Sequence, residues 1–323
     1  MDLLTNDGPR RPTLSVVVPV YNEEEVLPEF HRRLSAVLDG LGEDVEIVYV
    51  NDGSQDRSMA LLANIHASDP RVVVIDLSRN FGKEAAMSAG LDHADGDAVI
   101  VIDADLQDPP ELVPEMLREW RAGYDVVLMR RRSRARESWL KKGTARGFYY
   151  AIGRIGTIGI PEDVGDFRLL SRRAVEAVRR FPERSRFMKG LFAWIGFPCC
   201  ELVYDRDGRY AGETKWNYWR LWNFALEGIT SFSAAPLKVA SYIGLASSLA
   251  AFVYGAYVVV KTLLFGDPVP GYPTLVTLVL LLGGLQLMAL GVIGEYLARM
   301  FVEVKQRPLY LVARHLRRTI RSS

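Results

Sequence analysis

The 323-residue sequence predicts an α/β fold with a mostly parallel sheet, followed by two membrane-spanning helices. Short apolar runs alternate with helical patterns between residues 14 and 129, which is typical of a parallel sheet covered by helices. Polar residues follow the apolar runs, so we expect the strand ends to form a ligand site. Two long uncharged stretches near the C-terminus predict the membrane helices.

Apolar runs rich in β-branched residues predict five strands. The runs cover residues 14–20, 45–50, 72–77, 98–103 and 125–129. Apolar residues at helical spacing, such as Val26, Phe30 and Leu34, lie between them. The segments PVYNEEE, NDGSQD, SRNFGK and DADLQD end four of the runs, and we expect them to meet at the carboxyl edge of the sheet. Residues 130–236 show a less regular pattern.

The fourth run leads directly into carboxylates, in the stretch VIVIDADLQDPPE. Asp103, Asp105 and Asp108 would repel one another unless a positive charge held them together. A divalent cation that takes oxygen ligands, Mg²⁺ or Mn²⁺, meets that need. Asp103-Ala104-Asp105 also fits the DxD pattern of enzymes that use nucleotide sugars, whose departing diphosphate needs such a cation.

Three function classes are disfavoured. No GxGxxG follows the first strand and no GxxxxGK[ST] is present, which argues against an ordinary dinucleotide-binding fold and against a P-loop ATPase. The net charge of +1 argues against a nucleic-acid partner, for which a basic surface would be expected.

The predicted membrane helices cover residues 239–260 and 274–294. The connection between them has no Lys or Arg between residues 266 and 271, whereas seven basic residues follow the second stretch. The positive-inside rule therefore places the C-terminus in the cytoplasm, and two crossings place the N-terminal region there as well. Before the first stretch, KWNYWRLWNFALEGI predicts an aromatic helix lying in the membrane interface. The alternatives are a buried helical hairpin and an aromatic core stripe.

Five motifs together resemble the polyisoprenyl-phosphate glycosyltransferases, which are family 2 enzymes of GT-A fold. They are VVVPVYNEEEVLPEF, VNDGSQDRS, LSRNFGKEAAMSAGLDHADGDAVIVIDADLQDPPE, GDFRLLSRR and GETKWNYWRL. The bacterial bactoprenol (undecaprenyl-phosphate) glucosyltransferases are nearest in character, and the dolichyl-phosphate mannose synthases are more distant. The resemblance covers nearly the whole chain and implies a Rossmann-like nucleotide-sugar-binding fold, amphipathic interfacial helices and two transmembrane helices.

The resemblance also implies a division of the chain into seven segments. These are a tail (1–12), a cytoplasmic GT-A catalytic domain (13–210), a catalytic loop with the interfacial aromatic helix (211–237), transmembrane helix 1 (238–265), a short extracytoplasmic loop (266–273), transmembrane helix 2 (274–298) and a basic cytoplasmic tail (299–323).

On the donor side, the resemblance makes Asp105 and Gln107 the metal ligands, with Asp103 near the ribose and the metal. It implies that eight residues bind the nucleotide sugar: Pro19, Tyr21, Glu23, Asp52, Lys83, Asp103, Ala104 and Asp105. Without the resemblance, the segment NDGS around Asp52 is a favourable turn after a strand, in which Gly53 allows a sharp bend.

On the acceptor side, the resemblance makes Asp166 a general base or a positioning group, with Asp163 as a rival. A lipid phosphate is already largely an oxyanion at neutral pH, so it needs orientation more than deprotonation. Arg209 and Lys215 would stabilise the leaving diphosphate, and together with Asp166 and Asp103 they complete the predicted catalytic set. The run RRRSRARESWLKK would bind the lipid phosphate through Arg131, Arg134, Ser138 and Lys141, and the alternative is a solvated helix face.

The sequence thus predicts a metal-dependent, inverting transfer of glucose from UDP-glucose to undecaprenyl phosphate at the cytoplasmic face of a bacterial inner membrane. The alternatives are another donor sugar with the same lipid, a processive polysaccharide synthase and a non-catalytic membrane scaffold. The predicted partners are the donor, the lipid acceptor, the bilayer, a small flippase for the product and further copies of the chain in a homotetramer.

Overall fold

A computed structural model describes residues 12–132, 164–184, 186, 188–205, 235–265 and 271–317. The strands are β1 (Leu14–Val20), β2 (Val45–Asn51), β3 (Val72–Leu77), β4 (Ala98–Val101), β5 (Val126–Arg131), β6 (Val164–Ser171), β7 (Cys199–Tyr204) and β8 (Val312–Leu316). The helices are α1 (Leu27–Asp39), α2 (Ser58–Ser68), α3 (Lys83–His93), α4 (Val113–Arg121), α5 (Arg172–Arg179), α6 (Met188–Trp194), α7 (Ala235–Phe265) and α8 (Tyr272–Lys305).

These strands form one sheet in the order β7-β5-β6-β4-β1-β2-β3-β8. β1 pairs in parallel with β2 and β4, and β2 pairs in parallel with β3. The five predicted strands are confirmed, although β4 ends at Val101, two residues before the predicted end. The mostly parallel α/β sheet that the alternating pattern predicts is therefore present.

The sheet is covered on both faces by apolar side chains, as continuous β-branched runs require. On one face, α1 presents Leu27, Phe30, Leu34 and Leu38, each at most 2% exposed and all at helical spacing. On the other face, α3 lies so close that a Cβ at Gly90 would come within 2.2 Å of a methyl carbon of Val17. The small residues of α3 therefore set how near this helix approaches the strand that leads into the candidate site.

The sequence between the predicted sheet and the membrane segments is more regular than its pattern indicates. β6 inserts between β4 and β5 and is antiparallel to both. β7 extends the sheet further by pairing in parallel with β5. The prediction of an irregular region was therefore wrong for residues 164–205. β6 was missed because Asp166 and Arg168 interrupt its apolar run. Arg168 is nevertheless buried in the sheet, with only 2% of its surface exposed.

Two long helices precede the last strand. α7 contains 31 residues and α8 contains 34. Among the described residues, the segment Leu281–Lys305 is long and apolar enough to cross a membrane by length and composition, and none of it is buried within the protein. A shorter apolar segment, Tyr242–Tyr257, lies in α7. One span is thus supported by this criterion, and the two-span arrangement stays a prediction.

After α8 the chain returns to the sheet. β8 pairs antiparallel with β3, with Arg314 opposite Asp76 and Leu316 opposite Val74. At the end of α8, the Glu303 carboxylate accepts the backbone N–H of Arg184 at 2.8 Å. Part of the segment predicted as a basic tail is therefore an edge strand of the sheet.

Candidate active site

The candidate site lies at the carboxyl edge of the parallel strands, where α/β sheets bind ligands. β1 and β2 end in two loops there, residues 21–25 and 52–56, which we call the β1 and β2 loops. β4 ends in the DADLQD turn, and the adjacent strand β6 carries Asp166. The order of the strands thus places four of the predicted motifs along one edge.

The β1 and β2 loops are held together by hydrogen bonds of backbone N–H groups. The N–H of Asn22 donates to Ser54 Oγ at 3.0 Å, and the N–H of Gln55 donates to Asn22 Oδ1 at 2.8 Å. The N–H of Glu23 donates to Ser58 Oγ at 2.9 Å. Asn22 has φ +54°, a left-handed conformation that asparagine tolerates better than most residues. The exit of the first strand is therefore organised before any ligand binds.

Asp52 supports the segment that precedes α3. Its two carboxylate oxygens accept the backbone N–H groups of Phe81 at 2.7 Å and Gly82 at 3.0 Å. Burial raises the pKa of Asp52, and these two hydrogen bonds oppose the rise. Gly53 has φ +64°, and a Cβ there would lie 2.4 Å from the carbonyl carbon of Arg79. The expected sharp turn at Gly53 is thus confirmed, whereas contact between Asp52 and a base stays a prediction.

The DADLQD turn contains an unusual backbone conformation. Leu106 has φ +59°, which is costly for a residue with a Cβ, and its side chain is only 2% exposed. The N–H of Gln107 donates to Asp105 Oδ1 at 3.1 Å. Burial of the Leu106 side chain stabilises a turn that places Asp105 and Gln107 side by side.

Lys83 joins Asp103 to Asp166, and we call these three residues the charge cluster. The Lys83 ammonium lies 2.7 Å from the Asp103 carboxylate and 2.6 Å from Asp166 Oδ2. Burial raises the pKa of Asp103, and the charge of Lys83 opposes this rise. For Asp166, burial works against the charged form, but Lys83 and then Lys189 hold its pKa well below the usual range. Asp166 is therefore a stable anion.

More titratable groups surround the charge cluster. Burial, reinforced by the charge of Asp166, raises the pKa of Glu84 to about 7, and its carboxylate accepts the N–H of Met188 at 3.0 Å. Burial lowers the pKa of Lys189 and lowers that of Arg168 to about 10. The Arg168 guanidinium donates to the carbonyl of Gly165 at 2.6 Å. Such a concentration of shifted pKa values is typical of functional sites.

Arg131 reaches the charge cluster from the end of β5. A Cβ at Gly165 would lie 2.9 Å from its Nη2, so the guanidinium packs against the backbone next to Asp166. Arg131 also lies near Tyr204, whose hydroxyl donates to Oδ1 of the fully buried Asp108. Within the described residues, Arg131 Nε and Asp166 Oδ1 are buried without a hydrogen-bond partner. Buried polar atoms normally have partners, so this pair is suited to a ligand.

The DADLQD turn fits a hard divalent cation. Asp103, Asp105 and Gln107 supply only oxygen ligands, which Mg²⁺ and Mn²⁺ prefer. No group of three or more Asp, Glu, His or Cys side chains is clustered as a metal site in the described part of the chain. Mg²⁺ sites commonly use one or two protein carboxylates together with phosphate oxygens and water, so this small donor set is sufficient.

The structure brings Lys83, Asp103 and Asp166 together, and it places Arg131 beside them. No contact among the first three was predicted from the sequence, and their roles in donor binding and catalysis stay predictions. Pro19, Tyr21 and Glu23 lie at the end of β1, where Tyr21 is 40% exposed, and Ala104 is buried. The other predicted residues lie outside the described ranges: Arg134, Ser138, Lys141, Asp163, Arg209 and Lys215. No sequence motif predicts a role for Glu84, Lys189 or Tyr204, whereas Asp108 belongs to the group of aspartates that follows the fourth apolar run.

Two family models match this chain. The model of glycosyl transferase family 2 covers residues 15–179, which include the β1 and β2 loops and the charge cluster. The model described as the GtrB C-terminal hairpin covers residues 235–300, which include most of α7 and α8. The two matches together cover nearly all of strands β1 to β6 and most of the two long helices, whereas β7 and β8 lie outside them.

Curated relatives match over most of their length. The bactoprenol glucosyl transferase of Shigella phage SfII is 50% identical over 299 residues, covering 93% of this chain and 97% of the relative. An uncharacterized glycosyltransferase of Synechocystis is 53% identical over 300 residues, covering 93% and 94%. Among solved structures, a mannosyltransferase of Pyrobaculum calidifontis in complex with GDP-Man and Mn²⁺ is 18% identical, with a TM-score of 0.48 and coverage of 90% and 88%.

Proposed function

Since this chain belongs to glycosyl transferase family 2 and is a glycosyltransferase, we propose that it transfers glucose from UDP-glucose to a polyprenyl phosphate such as undecaprenyl phosphate. The observation that carries the proposal is the charge cluster. Lys83 joins Asp103, which belongs to the DxD motif of the donor side, to Asp166 on β6. Half-identical relatives named bactoprenol glucosyl transferase support both the sugar and the lipid acceptor.

The proposed reaction is a single displacement. An oxygen of the lipid phosphate forms a bond to the anomeric carbon, the bond from that carbon to the diphosphate breaks, and UDP leaves with the electron pair. Attack from the face opposite the leaving group turns an α-linked donor into a β-linked product. A phosphate that is already anionic needs no base. We therefore assign Asp166 a positioning role, because an acid whose pKa is held low is a poor proton acceptor.

Asp103, Asp105 and Gln107 would hold the divalent cation, Mg²⁺ or Mn²⁺. When bound, the cation supplies neutralising charge for the diphosphate. The residues of the chain have separate tasks. Lys83 keeps the carboxylates of Asp103 and Asp166 close together although they repel each other. Arg209 and Lys215 would stabilise the charge that develops on the leaving diphosphate.

The acceptor phosphate would bind beside Asp166. Arg131 presents a guanidinium there, and clustered guanidinium groups suit phosphate oxygens. Arg134, Ser138 and Lys141 follow Arg131 in sequence and would complete the site. Because Asp166 is an anion, it would also limit how deeply a phosphate can enter, which favours an acceptor phosphate held at the mouth of the site by Arg131.

The membrane arrangement follows from the acceptor, since a polyprenyl chain stays in the bilayer. We propose that α7 and α8 cross the membrane as a hairpin, with the sheet and both termini on the cytoplasmic side of a bacterial inner membrane. β8 pairs with β3, so the chain that leaves the sheet after β7 returns to the same sheet after α8. An even number of crossings meets this requirement. The product would then need a separate flippase.

A transfer assay tests the proposal. The full chain in detergent is offered undecaprenyl phosphate, Mg²⁺ or Mn²⁺ and a panel of radiolabelled UDP- and GDP-sugars, and label in the organic phase is counted. We expect label from UDP-glucose, and we expect EDTA and Asp105→Ala each to abolish it. Transfer from another donor alone would correct the sugar. Protein that binds UDP but transfers no label to the lipid would contradict the proposed acceptor.

A further inference from the structure

We propose that Arg314, on the C-terminal strand β8, is a positioning residue for the nucleotide-binding loops. A chain of hydrogen bonds links it to the β1 and β2 loops through two buried side chains, Asp76 and Asn51. The inference rests on the proposed function, since it assigns those loops to the nucleotide of the donor. It gives a role in donor binding to a segment that lies beyond both long helices in sequence.

The first step of the chain joins β8 to β3. The Arg314 guanidinium contacts Asp76 Oδ2, with Nε at 2.8 Å and Nη2 at 2.7 Å. Asp76 is 7% exposed and lies directly opposite Arg314 in the strand pairing. A buried carboxylate that loses its cation is costly, so the contact with Arg314 holds Asp76 in place.

The second step joins β3 to β2. Asn51 is 2% exposed, and its Nδ2 donates to Asp76 Oδ1 at 2.7 Å. Because a carboxylate can only accept, this bond fixes which end of the Asn51 amide faces Asp76. The carbonyl end therefore faces the β2 loop, where Asn51 Oδ1 accepts the N–H of Ser54 at 3.3 Å.

The third step joins the two loops. Ser54 Oγ accepts the N–H of Asn22, which follows the predicted nucleotide contacts Pro19 and Tyr21. Asn51 also precedes Asp52, the predicted contact to the base. The Arg314 side chain is largely exposed, but Asp76 and Asn51 are buried and Ser54 and Asn22 are half-buried, so loss of one partner leaves the next group unsatisfied. Removing the guanidinium should therefore disturb the loops at the other end of the chain.

The strand itself does not depend on Arg314 alone. Tyr310 donates to Asp92 at 2.9 Å before the strand, and Arg317 pairs with Asp95 and Glu46 after it. Arg317 therefore offers a matched control. It follows the same strand and also pairs with carboxylates, but its partners are separate from Asp76, Asn51 and the loops.

The experiment compares Arg314→Gln with Arg317→Gln in the full chain. Titration calorimetry with UDP and Mg²⁺ measures donor-side affinity, and the transfer assay gives KM for UDP-glucose and for undecaprenyl phosphate. We expect Arg314→Gln to weaken UDP binding and raise the donor KM about tenfold, because a charge-assisted hydrogen bond is lost. The lipid KM should stay within about twofold, and Arg317→Gln should change neither KM.

Arg314→Lys should recover part of the loss, since it restores the charge but not the two-pronged contact. If Arg314→Gln unfolds the protein, Asp76→Asn tests the same chain and should also raise the donor KM. Equal effects of the Arg314 and Arg317 variants, or equal changes in both KM values, would overturn the inference. Failure of the wild type to transfer sugar would instead overturn the proposed function.

Discussion

The β1 and β2 loops and the charge cluster occupy one edge of the sheet but are stabilised by different interactions. In the loops, backbone N–H groups donate to side-chain oxygens of Asn22, Ser54 and Ser58. In the charge cluster, one ammonium holds two carboxylates, and one oxygen of Asp166 has no hydrogen-bond partner among the described residues. The loops therefore hold each other through hydrogen bonds within the protein, whereas the charge cluster keeps a carboxylate oxygen without a partner among the described residues.

This difference matches two tasks of a transferase, which are to hold the nucleotide and to support the movement of charge during the reaction. Neutral hydrogen bonds and tight turns hold a fixed shape for a nucleotide at little cost in free energy. Partly buried charges such as those of the charge cluster cost free energy to bring together, and they are suited to a reaction in which charge moves from one phosphate group to another. We therefore expect changes in the charge cluster to affect turnover and pH dependence, and changes in the loops to affect stability and donor affinity.

The largest effect is expected from Asp166→Asn, which keeps the shape of the side chain and removes its charge. We expect kcat to fall at least about a hundredfold, because the ion pair with Lys83 is broken and the acceptor would lose an orienting group. The donor KM should change little. Transfer rates at saturating UDP-glucose, measured between pH 6 and 8, provide the test.

Asp163→Asn is the control for Asp166→Asn, because Asp163 is the rival acid three residues earlier in the sequence. A larger loss in Asp163→Asn would reverse the assignment. A positioning group that is already ionised does not titrate between pH 6 and 8. If Asp166 is such a group, its deprotonation should cause no rise in the wild-type transfer rate over this range. A rate that depends on its deprotonation above pH 6 would instead make it a base, in conflict with its lowered pKa.

The pH dependence of stability tests the charged region in another way. Folding raises the pKa of Glu84 from 4.5 to about 7, mainly through burial. Such a shift favours the protonated form, so stability present below pH 4.5 is lost as the pH rises through about 7, by up to about 3 kcal/mol. We expect Glu84→Gln to flatten this loss. Thermal unfolding of the full chain at pH 5 and pH 8 measures it.

Glu115→Gln is the control for Glu84→Gln, because Glu115 pairs with Arg118 on the surface of α4. Its substitution should leave the pH dependence of the wild type intact. A Glu84→Gln protein that loses as much stability between pH 5 and pH 8 as the wild type would place the titrating group elsewhere.

The rigidity of the loops can be tested with two glycines. Gly53 and Gly42 have φ values of +64° and +65°, but only Gly53 faces atoms that a Cβ would meet. We expect Gly42→Ala to cost about 1 kcal/mol for the backbone conformation alone. Gly53→Ala should cost about 2 kcal/mol more, because the Arg79–Asn80 backbone must move. Thermal unfolding measures both losses of stability. Equal losses for the two variants would mean that the Arg79–Asn80 backbone moves at little cost in free energy.

The sequence predicted the parts of the fold that have a continuous signal. β1 to β5 are apolar runs, and burial on both faces explains why each run is unbroken. β6 was not predicted, because two charged residues of the candidate site, Asp166 and Arg168, interrupt its apolar run. β8 was not predicted either. Its segment VARHL is mostly exposed, and pairing with β3 and the ion pair of Arg314 hold it in the sheet.

The candidate site also has a part that the sequence predicted and a part that it did not. Lys83, Asp103 and Asp166 stand in recognisable motifs, and each was predicted as a site residue, whereas the contact of Lys83 with both carboxylates was not predicted. Tyr204 and Asp108 meet across 96 residues of sequence through the pairing of β5 with β7. No local pattern announces such a contact, since it depends on strand order.

Arg131 lies beside Asp166 of the charge cluster, so its variant tests whether this part of the site holds the acceptor phosphate or the donor diphosphate. We expect Arg131→Gln to raise the KM for undecaprenyl phosphate about tenfold, because a charge-assisted contact to phosphate is lost. Arg130→Gln is the control: Arg130 is the preceding residue of the same strand, and it pairs with Glu201 at 2.9 Å. Steady-state transfer with each substrate varied in turn measures both KM values. If Arg131→Gln raised the KM for UDP-glucose and left the lipid KM unchanged, Arg131 would belong to the diphosphate, and the acceptor phosphate would depend on the basic residues that follow it in sequence.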